Sequence, residues 1–407
     1  MKVTIIGAGQ AGLQLGIGLL HSEIEVEIVS NRTGEEIRTG RIMSSQSMYQ
    51  EALDHERELG LNFWDDEAPA YNNVNMMIGN SAKPMIDWHA PLDGAGNSID
   101  QRVKMPRWME EFEKLGGTLT ILEAGIEHLE DYCSTSDLVI VASGKGEIGS
   151  LFEKDVEKCQ FHQPMRGLSL VYFTGMEPYE HTPSLNINVN PGIGECVTFP
   201  GLTTSGACDI MTFEAVPGGE MDVWHEVKTP DQHLEMTKTL LDRFFPWLGE
   251  RCRNIKLTDD NARLTGRFPP TVRKPIGYLP SGQIVLGIAD AICLNDPITG
   301  QGSNNASKAA AIYLKRIVDN RGRAFDENWM QGTFDAYMDY AHWVIKFTNT
   351  FLTPLPDHIV EIFGAAQSNQ AIGRIFAGAF NDPRRVDPWL YDPAEARKFI
   401  QAHSEAA

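Results

Sequence analysis

Three glycines near the start of the chain, Gly7-x-Gly9-x-x-Gly12 within "MKVTIIGAGQAGLQLG", have the types and spacing of a phosphate cradle. Such a cradle needs a strand before it and a helix after it, because a helix N-terminus offers unpaired N–H groups and the positive end of the helix dipole. The neighbouring sequence supplies both. "VTIIGAG" reads as a buried parallel strand, "QAGLQLGIGLLHS" as the following helix and "EVEIVS" as a second strand. In this βαβ unit Gly7 makes the tight turn, Gly9 lets the backbone approach a pyrophosphate, and Gly12 permits close packing of helix on strand. The chemistry implied is dinucleotide binding. At the end of the second strand, where a carboxylate would grip the adenosine ribose, the chain has Ser30, Asn31 and Arg32, so a looser hold on that end is expected.

A second strand-loop-helix unit lies far away, in "GQIVLGIADAICLNDPITGQGSNNASKAAAIYLKRIV". Its strand ends on Asp290, its loop carries Pro297, Gly300 and Gly302, and an Ala-rich helix follows. Gly287-x-x-Asp290 followed by Asp296-Pro297-x-x-Gly300-Gln301-Gly302-x-Asn304 resembles the second flavin fingerprint of flavoprotein monooxygenases built like para-hydroxybenzoate hydroxylase. That resemblance implies that the dinucleotide is FAD, that Asp290 meets the ribityl chain, and that the loop and helix end lie beside the pyrimidine end of the isoalloxazine. A positive helix end there favours negative charge on reduced flavin. A third strand, in "SDLVIVASGKGEIGSLF", ends at Ser143-Gly144. Where many single-component relatives of this fold carry an Asp-Gly motif, this chain reads Gly144-Lys145-Gly146. The missing Asp suggests that electrons arrive from elsewhere.

At 407 residues the chain exceeds one ordinary hydrophobic core, and its 42% apolar and 22% charged content is that of packed globular units. A formal charge of −20 argues against nucleic acid or an anionic membrane as partner. No apolar stretch approaches the length of a membrane span, and the opening strand is expected to belong to the mature fold rather than to a leader. Six cysteines without a C-x-x-C pair, and no histidines at ligand spacing, point to reduced thiols, a cytoplasmic protein and no metal site. No Ser-His-Asp set or paired carboxylates stand out.

The expected fold is mixed α/β. A discontinuous, Rossmann-like FAD-binding domain of the para-hydroxybenzoate hydroxylase type comprises 1–75, 98–160 and 275–320. An antiparallel-sheet substrate domain comprises 76–97 and 161–274, where segments such as "SLNINVN" and "ECVTF" alternate between turn signals. "PDQHLEMTKTLLDRFFPWLGE" reads as an amphipathic helix on that sheet, and 321–407 as a helical region whose aromatics form core.

Taken together, "GAGQAGLQLG", "GRIMSSQSMYQ", "IDQRV", "ASGKG" and "NDPITGQGSNNAS" resemble the two-component styrene and indole monooxygenases, oxygenase component, from the chain's start into its C-terminal helices. The resemblance implies that Arg41 and Arg102 contact the flavin alongside Gly7, Gly9, Gly12, Asp290, Pro297, Gly300, Gly302 and Asn304. At the reactive end it implies Arg41, Pro297, Gln301 and Asn304. Where the styrene enzymes show Asn-x-Val-x-His, this chain has Ser44-x-Gln46-x-Met48, the indole-type pattern. Alternate residues of an extended segment share a face, and a glutamine and a flexible methionine suit a planar aromatic substrate. The implied reaction uses FAD, bound reduced after delivery by a separate NADH-dependent flavin reductase, and O2. These form a C4a-hydroperoxide that epoxidises indole at C2–C3, leading to indoxyl and indigo. Styrene-type epoxidation or aryl sulfide sulfoxidation, a self-sufficient NAD(P)H-dependent aromatic hydroxylase, and a flavin-binding redox sensor remain the alternatives. A monomer or homodimer is compatible with the sequence.

Overall fold

The computed structural model describes residues 1–144, 146–178 and 183–404; Lys145, which follows the Ser143-Gly144 strand end, lies outside them. Two sheets organise the chain. The first has six strands, in the order Ile276–Tyr278, Ile284–Gly287, Leu138–Val141, Lys2–Ile6, Glu25–Ser30 and Thr118–Ile121. All neighbours are parallel except Ile276–Tyr278 and Ile284–Gly287, which form an antiparallel pair. The opening strand sits inside this sheet, and Val3, Ile5, Ile140, Val285 and Leu286 are wholly buried, as a sheet covered on both faces requires.

Helix Gln10–His21 and helix Gly302–Asp319 pack side by side over the sheet. The Gln14 side-chain amide donates to the Ser307 carbonyl at 3.1 Å, and a methyl group at Gly18 would strike Leu314. Since 14 meets 307 and 18 meets 314, the two helices run in the same direction with their N-termini adjacent.

The second sheet has nine strands. A long hairpin, Tyr71–Asn80 with Lys83–Ser98, joins the strands Ser184–Asn190, Gly194–Thr203, Gly206–Ala215 and Gly167–Thr174, and the short strand Ser47–Met48 closes one edge. The side-chain period of two separates its faces. Tyr172, Phe199 and Ile210 face the C-terminal helices, whereas Phe173, Cys196, Met211 and Phe213 pack against helix Pro230–Phe244. That helix covers the first part of the amphipathic stretch read from the sequence, which breaks at Phe245 because Pro246 starts a separate short helix, Pro246–Gly249; it begins with a capping box in which the Thr229 hydroxyl accepts from the Gln232 N–H. Beyond residue 321 the chain is mostly helical, and Glu327–Thr350 and Asp357–Ser368 contribute to an aromatic layer. Phe363 and Phe376 meet edge to face at 4.9 Å, and Phe347, Phe351 and Phe380 extend the cluster. Among the described residues no helix is long and apolar enough to cross a membrane.

Beneath helix Pro230–Phe244, His233 stacks on Trp224 at 4.9 Å, and its Nε2 shares a hydrogen bond with the Ser169 hydroxyl at 2.7 Å. Burial, with Arg263 as a lesser contributor, pushes the imidazole pKa down from 6.5 to about 4. The folded state therefore holds His233 neutral, while the unfolded chain takes up a proton below pH 6.5. Stability is full above 6.5 and falls as pH drops toward 4, by at most about 3 kcal/mol for this group at 1.36 kcal/mol per unit. Thermal denaturation between pH 4 and 7 checks this: His233→Gln should flatten the profile relative to the parent chain. Parallel profiles for the two proteins would exclude the assignment.

Candidate active site

The phosphate cradle forms where the opening strand meets its helix. Gly7 adopts φ +118°, and its N–H donates to the Val29 carbonyl at 2.8 Å. A methyl group at Gly12 would land on the Gly7 carbonyl oxygen, which is the close packing that demands glycine there. Gly9 precedes the helix without any side-chain cap. The first intrahelical bond runs from the Leu13 N–H to the Gly9 carbonyl at 3.0 Å, so the N–H groups of Gln10, Ala11 and Gly12 precede it. A methyl group at Gly9 would meet nothing within 4 Å.

A matching arrangement ends the second unit. After strand Ile284–Gly287, Ala289 takes φ +51° and leaves Asp290 exposed at the strand terminus. Gly144 closes against this turn, since a methyl group there would lie 2.8 Å from the Asp290 carbonyl oxygen. The Asp296 carboxylate accepts the Ile298 N–H at 3.1 Å and fixes the turn Pro297–Thr299, and Gly300 follows in the left-handed region at φ +64°. Helix Gly302–Asp319 has no side-chain cap, and its first bond is from the Asn305 N–H to the Gln301 carbonyl at 2.8 Å. Gly302 also faces open space. Two uncapped helix ends with open glycines thus lie side by side at the C-terminal edge of one parallel sheet. The residues present fit a dinucleotide such as FAD: Gly7 to Gly12 would hold its pyrophosphate and Pro297 to Gly302 its ring end.

The two arginines implied as flavin contacts differ. Arg41 is exposed and free of ion pairs among the described residues. Arg102 is buried, and its guanidinium is taken up by the protein. It donates to Asp100 at 2.8 Å, to both oxygens of Asp259 at 3.0 Å, to the Thr203 hydroxyl at 3.1 Å and to the Gly40 carbonyl at 3.4 Å. Two carboxylates, a hydroxyl and a backbone carbonyl occupy all five donors of the fork and leave none for a ligand, so Arg102 anchors the residue before Arg41 rather than reaching outward.

The segment after Arg41 is held by Asn304. Its amide donates to the carbonyls of Ser47 and Gly300, both at 2.9 Å, and its oxygen accepts the Tyr49 N–H at 2.8 Å. Gln301, wholly buried, donates to the Phe380 carbonyl at 2.8 Å, and its oxygen has no partner among the described residues. These clamps bound a small, partly open cavity. Pro297 to Gly300 form one wall, Ser45, Ser47 and Tyr49 another, and Leu185, Ile187, Val197, Phe199, Thr212, Glu214 and Phe380 the rest.

Ser44, Gln46 and Met48 do not line this cavity, because alternation turns them to the other side of the segment. Gln46, at φ +51°, donates to the Ser44 hydroxyl at 3.0 Å, and Gln101 donates to the same hydroxyl at 3.1 Å. The Met48 sulfur lies 3.1 Å from the Lys104 ammonium. That ammonium pairs with Glu56 at 2.5 Å, and Glu56 also accepts from Gln10, the first residue of the cradle helix, at 2.8 Å. Burial lowers the Lys104 pKa against the opposing pull of Glu56.

Sequence reading missed a cluster of acids behind the cavity. Arg166 grips Glu195 through bonds of 2.7 and 3.0 Å and donates its remaining N–H groups to the carbonyls of Met165, Phe351 and Leu352. Glu214 pairs with Glu195 across the sheet, and its Oε2 is buried without a partner among the described residues. Burial, reinforced by Asp296, raises the Glu214 pKa well above the carboxylate range, and burial lifts Asp296 to about 7. The hairpin turn was the available signal: pairing Thr203 with Gly206 sets Glu195 opposite Glu214.

The cradle is testable through its two glycines. Gly12→Ala, which drives a methyl group into the Gly7 carbonyl, should lose several degrees of Tm, whereas Gly9→Ala should fold normally and weaken FAD binding at least tenfold. Flavin fluorescence titration beside thermal denaturation separates the two, and undiminished FAD affinity in Gly9→Ala would refute the cradle.

The model for the domain assigned to substrate binding in styrene monooxygenase A matches residues 144–251. Styrene monooxygenase StyA of Pseudomonas fluorescens is 26% identical over 392 residues, 94% of each chain, and its counterpart from a Pseudomonas species has the same identity and coverage. Among solved structures, a flavoprotein/dehydrogenase of Cytophaga hutchinsonii superposes with TM-score 0.72 at 15% identity, over 99% of this chain and 100% of that one. A triple mutant of the flavin-dependent brominase Bmp2 does so with TM-score 0.69 at 17% identity, over 99% of both chains. The chain therefore has the fold of the FAD-binding flavoenzymes and is similar, along nearly its whole length, to the styrene monooxygenases.

Proposed function

We propose that this protein is the oxygenase component of a two-component flavoprotein monooxygenase that epoxidises indole at C2–C3, taking reduced FAD from a separate NADH-dependent flavin reductase. The observation that carries the reading is the cavity that shares the Pro297 to Gly300 loop with the flavin cradle. A small aromatic molecule there would lie against the ring end of the cofactor. Reduced FAD, when bound, supplies the electrons that activate O2.

The chain's own residues bind, orient and exclude. The N–H groups at Gln10 to Gly12 would hold the pyrophosphate, Asp290 the ribityl chain and Arg41 the flavin from the open side. The first-turn N–H groups at Gly302 to Asn304 would face the pyrimidine end and favour negative charge there. Asn304 and Gln301 fix the loop and Phe380 relative to one another, which sets the reacting distance. Leu185, Ile187, Val197, Phe199 and Phe380 keep water out. Ser44, Gln46 and Met48 would tune selectivity indirectly, by setting the position of the Ser45, Ser47 and Tyr49 face.

The largely apolar lining also favours styrene-like alkenes and aryl sulfides as a second substrate set. Shape discrimination in such a pocket separates substrates by only about 1–3 kcal/mol. A coupled assay containing the protein, FAD, NADH, an unrelated flavin reductase, catalase and indole should give blue pigment only when this protein is present. Absence of product from indole, styrene and aryl sulfides, with reduced FAD bound, would refute the oxygenase reading. Gln46→Val combined with Met48→Val should shift the indole-to-styrene rate ratio severalfold toward styrene, and an unchanged ratio would remove that segment from substrate selection.

A further inference from the structure

Glu214 is an anomaly in the cavity wall. It is 2% exposed, it stands among aliphatic and aromatic side chains, and its Oε2 has no hydrogen-bond partner among the described residues. A buried polar group left in that state is destabilising, so natural interiors seldom keep one unless something else satisfies it. The nearby cation does not. Arg166 spends its donors on Glu195 and three backbone carbonyls. Two other polar groups in the cavity are already engaged: the Ser47 hydroxyl bonds Tyr71 at 2.7 Å, and the Thr299 hydroxyl bonds Thr348 at 2.6 Å.

We propose that Glu214 accepts a hydrogen bond from the ring N–H of an aromatic nitrogen heterocycle bound in this cavity, and so makes the site selective for indole-type substrates over hydrocarbon alkenes of the same shape. The proposal rests on the oxygenase reading for what happens to the substrate, but not for its recognition. Geometry gives the carboxyl its place on the wall. The buried Glu214 and Asp296 and the partly buried Glu195 gather around one arginine, Arg166, and burial raises the Glu214 pKa, so the group facing the cavity is a neutral acid. Its carbonyl oxygen accepts an N–H without placing a full charge beside an apolar ring. An alkene without the N–H leaves that oxygen unsatisfied, which is the kind of penalty that separates substrates more sharply than shape does.

Indole and indene form the decisive pair, since indene replaces the N–H by CH2 and keeps the fused bicyclic outline. Dissociation constants of both are measured by calorimetry on the FAD-loaded full chain, together with their rate ratio in the coupled assay. The parent protein should bind indole about tenfold more tightly than indene. Glu214→Leu should bring the two to near parity, while Glu214→Gln, whose amide oxygen still accepts, should keep most of the preference. Glu214→Leu also removes an unpartnered buried carboxyl, so its Tm should be no lower than the parent's, which guards against loss through misfolding. Equal affinity for indole and indene in the parent chain, or an unchanged preference in folded Glu214→Leu, would overturn the proposal. If the preference is lost in Glu214→Leu yet the parent oxygenates neither compound, recognition by Glu214 stands and the oxygenase reading falls.

Discussion

The side-chain amide of Asn304 acts as the missing neighbour of a β-strand, and the candidate site depends on it. By pairing with the Ser47 carbonyl and the Tyr49 N–H, it ties the edge of the nine-stranded sheet, which is mixed rather than antiparallel because Tyr71–Asn80 and Ser184–Asn190 run parallel, to the first turn of a helix that packs on the six-stranded sheet. Its third bond, to the Gly300 carbonyl, holds the left-handed residue of the loop. One amide thus sets the separation between a cofactor cradle and a cavity wall built by different sheets. Arg102 does the same for the other end of the segment, where its neighbour Asp100 is joined by Thr203 and Asp259 from distant parts of the chain. Both anchors are buried and hydrogen-bonded through most of their polar atoms, which gives the junction a single geometry.

Features governed by local backbone requirements were legible in the sequence. The glycines at 7, 9 and 12, the turn at Pro297 and the left-handed Gly300 each answer a requirement set within a few residues, and the strand and helix patterns around them have strong periods. The alternating segments after residue 183 formed strands for the same reason. Features that depend on partners hundreds of positions away were not. Arg102 reads as an outward-reaching charge until Asp259 closes on it. Asn304 looks like a ligand group until its three bonds are counted.

The parity of the 44–49 segment shows a subtler limit. An extended stretch has two faces, and here both carry polar residues: Ser44 and Gln46 on one, Ser45 and Ser47 on the other. Hydrophobic contrast, which normally decides the inward face, is therefore absent. The choice is made by tertiary partners, because Lys104 and Gln101 draw Met48 and Ser44 to their side. Lys104 is itself pinned by Glu56, which also receives Gln10 at the mouth of the first cradle. A buried ion pair of this kind adds little net stability once desolvation is subtracted. What it does here is connect the cofactor helix to the segment whose opposite face lines the cavity.

Charge at the second cradle follows the same logic. If Asp296 and Glu214 were both ionised beside Pro297, their field would oppose negative charge on any group held at the adjacent helix end. Burial raises both pKa values, and the Arg166 guanidinium is committed to Glu195. The acids are thereby kept largely from adding negative field, and the dipole of helix Gly302–Asp319 acts with little opposition on what sits at its N-terminus. The same burial that makes Glu214 costly to keep is what leaves it neutral, able to accept a hydrogen bond, and compatible with an anionic ring end on the far side of the loop.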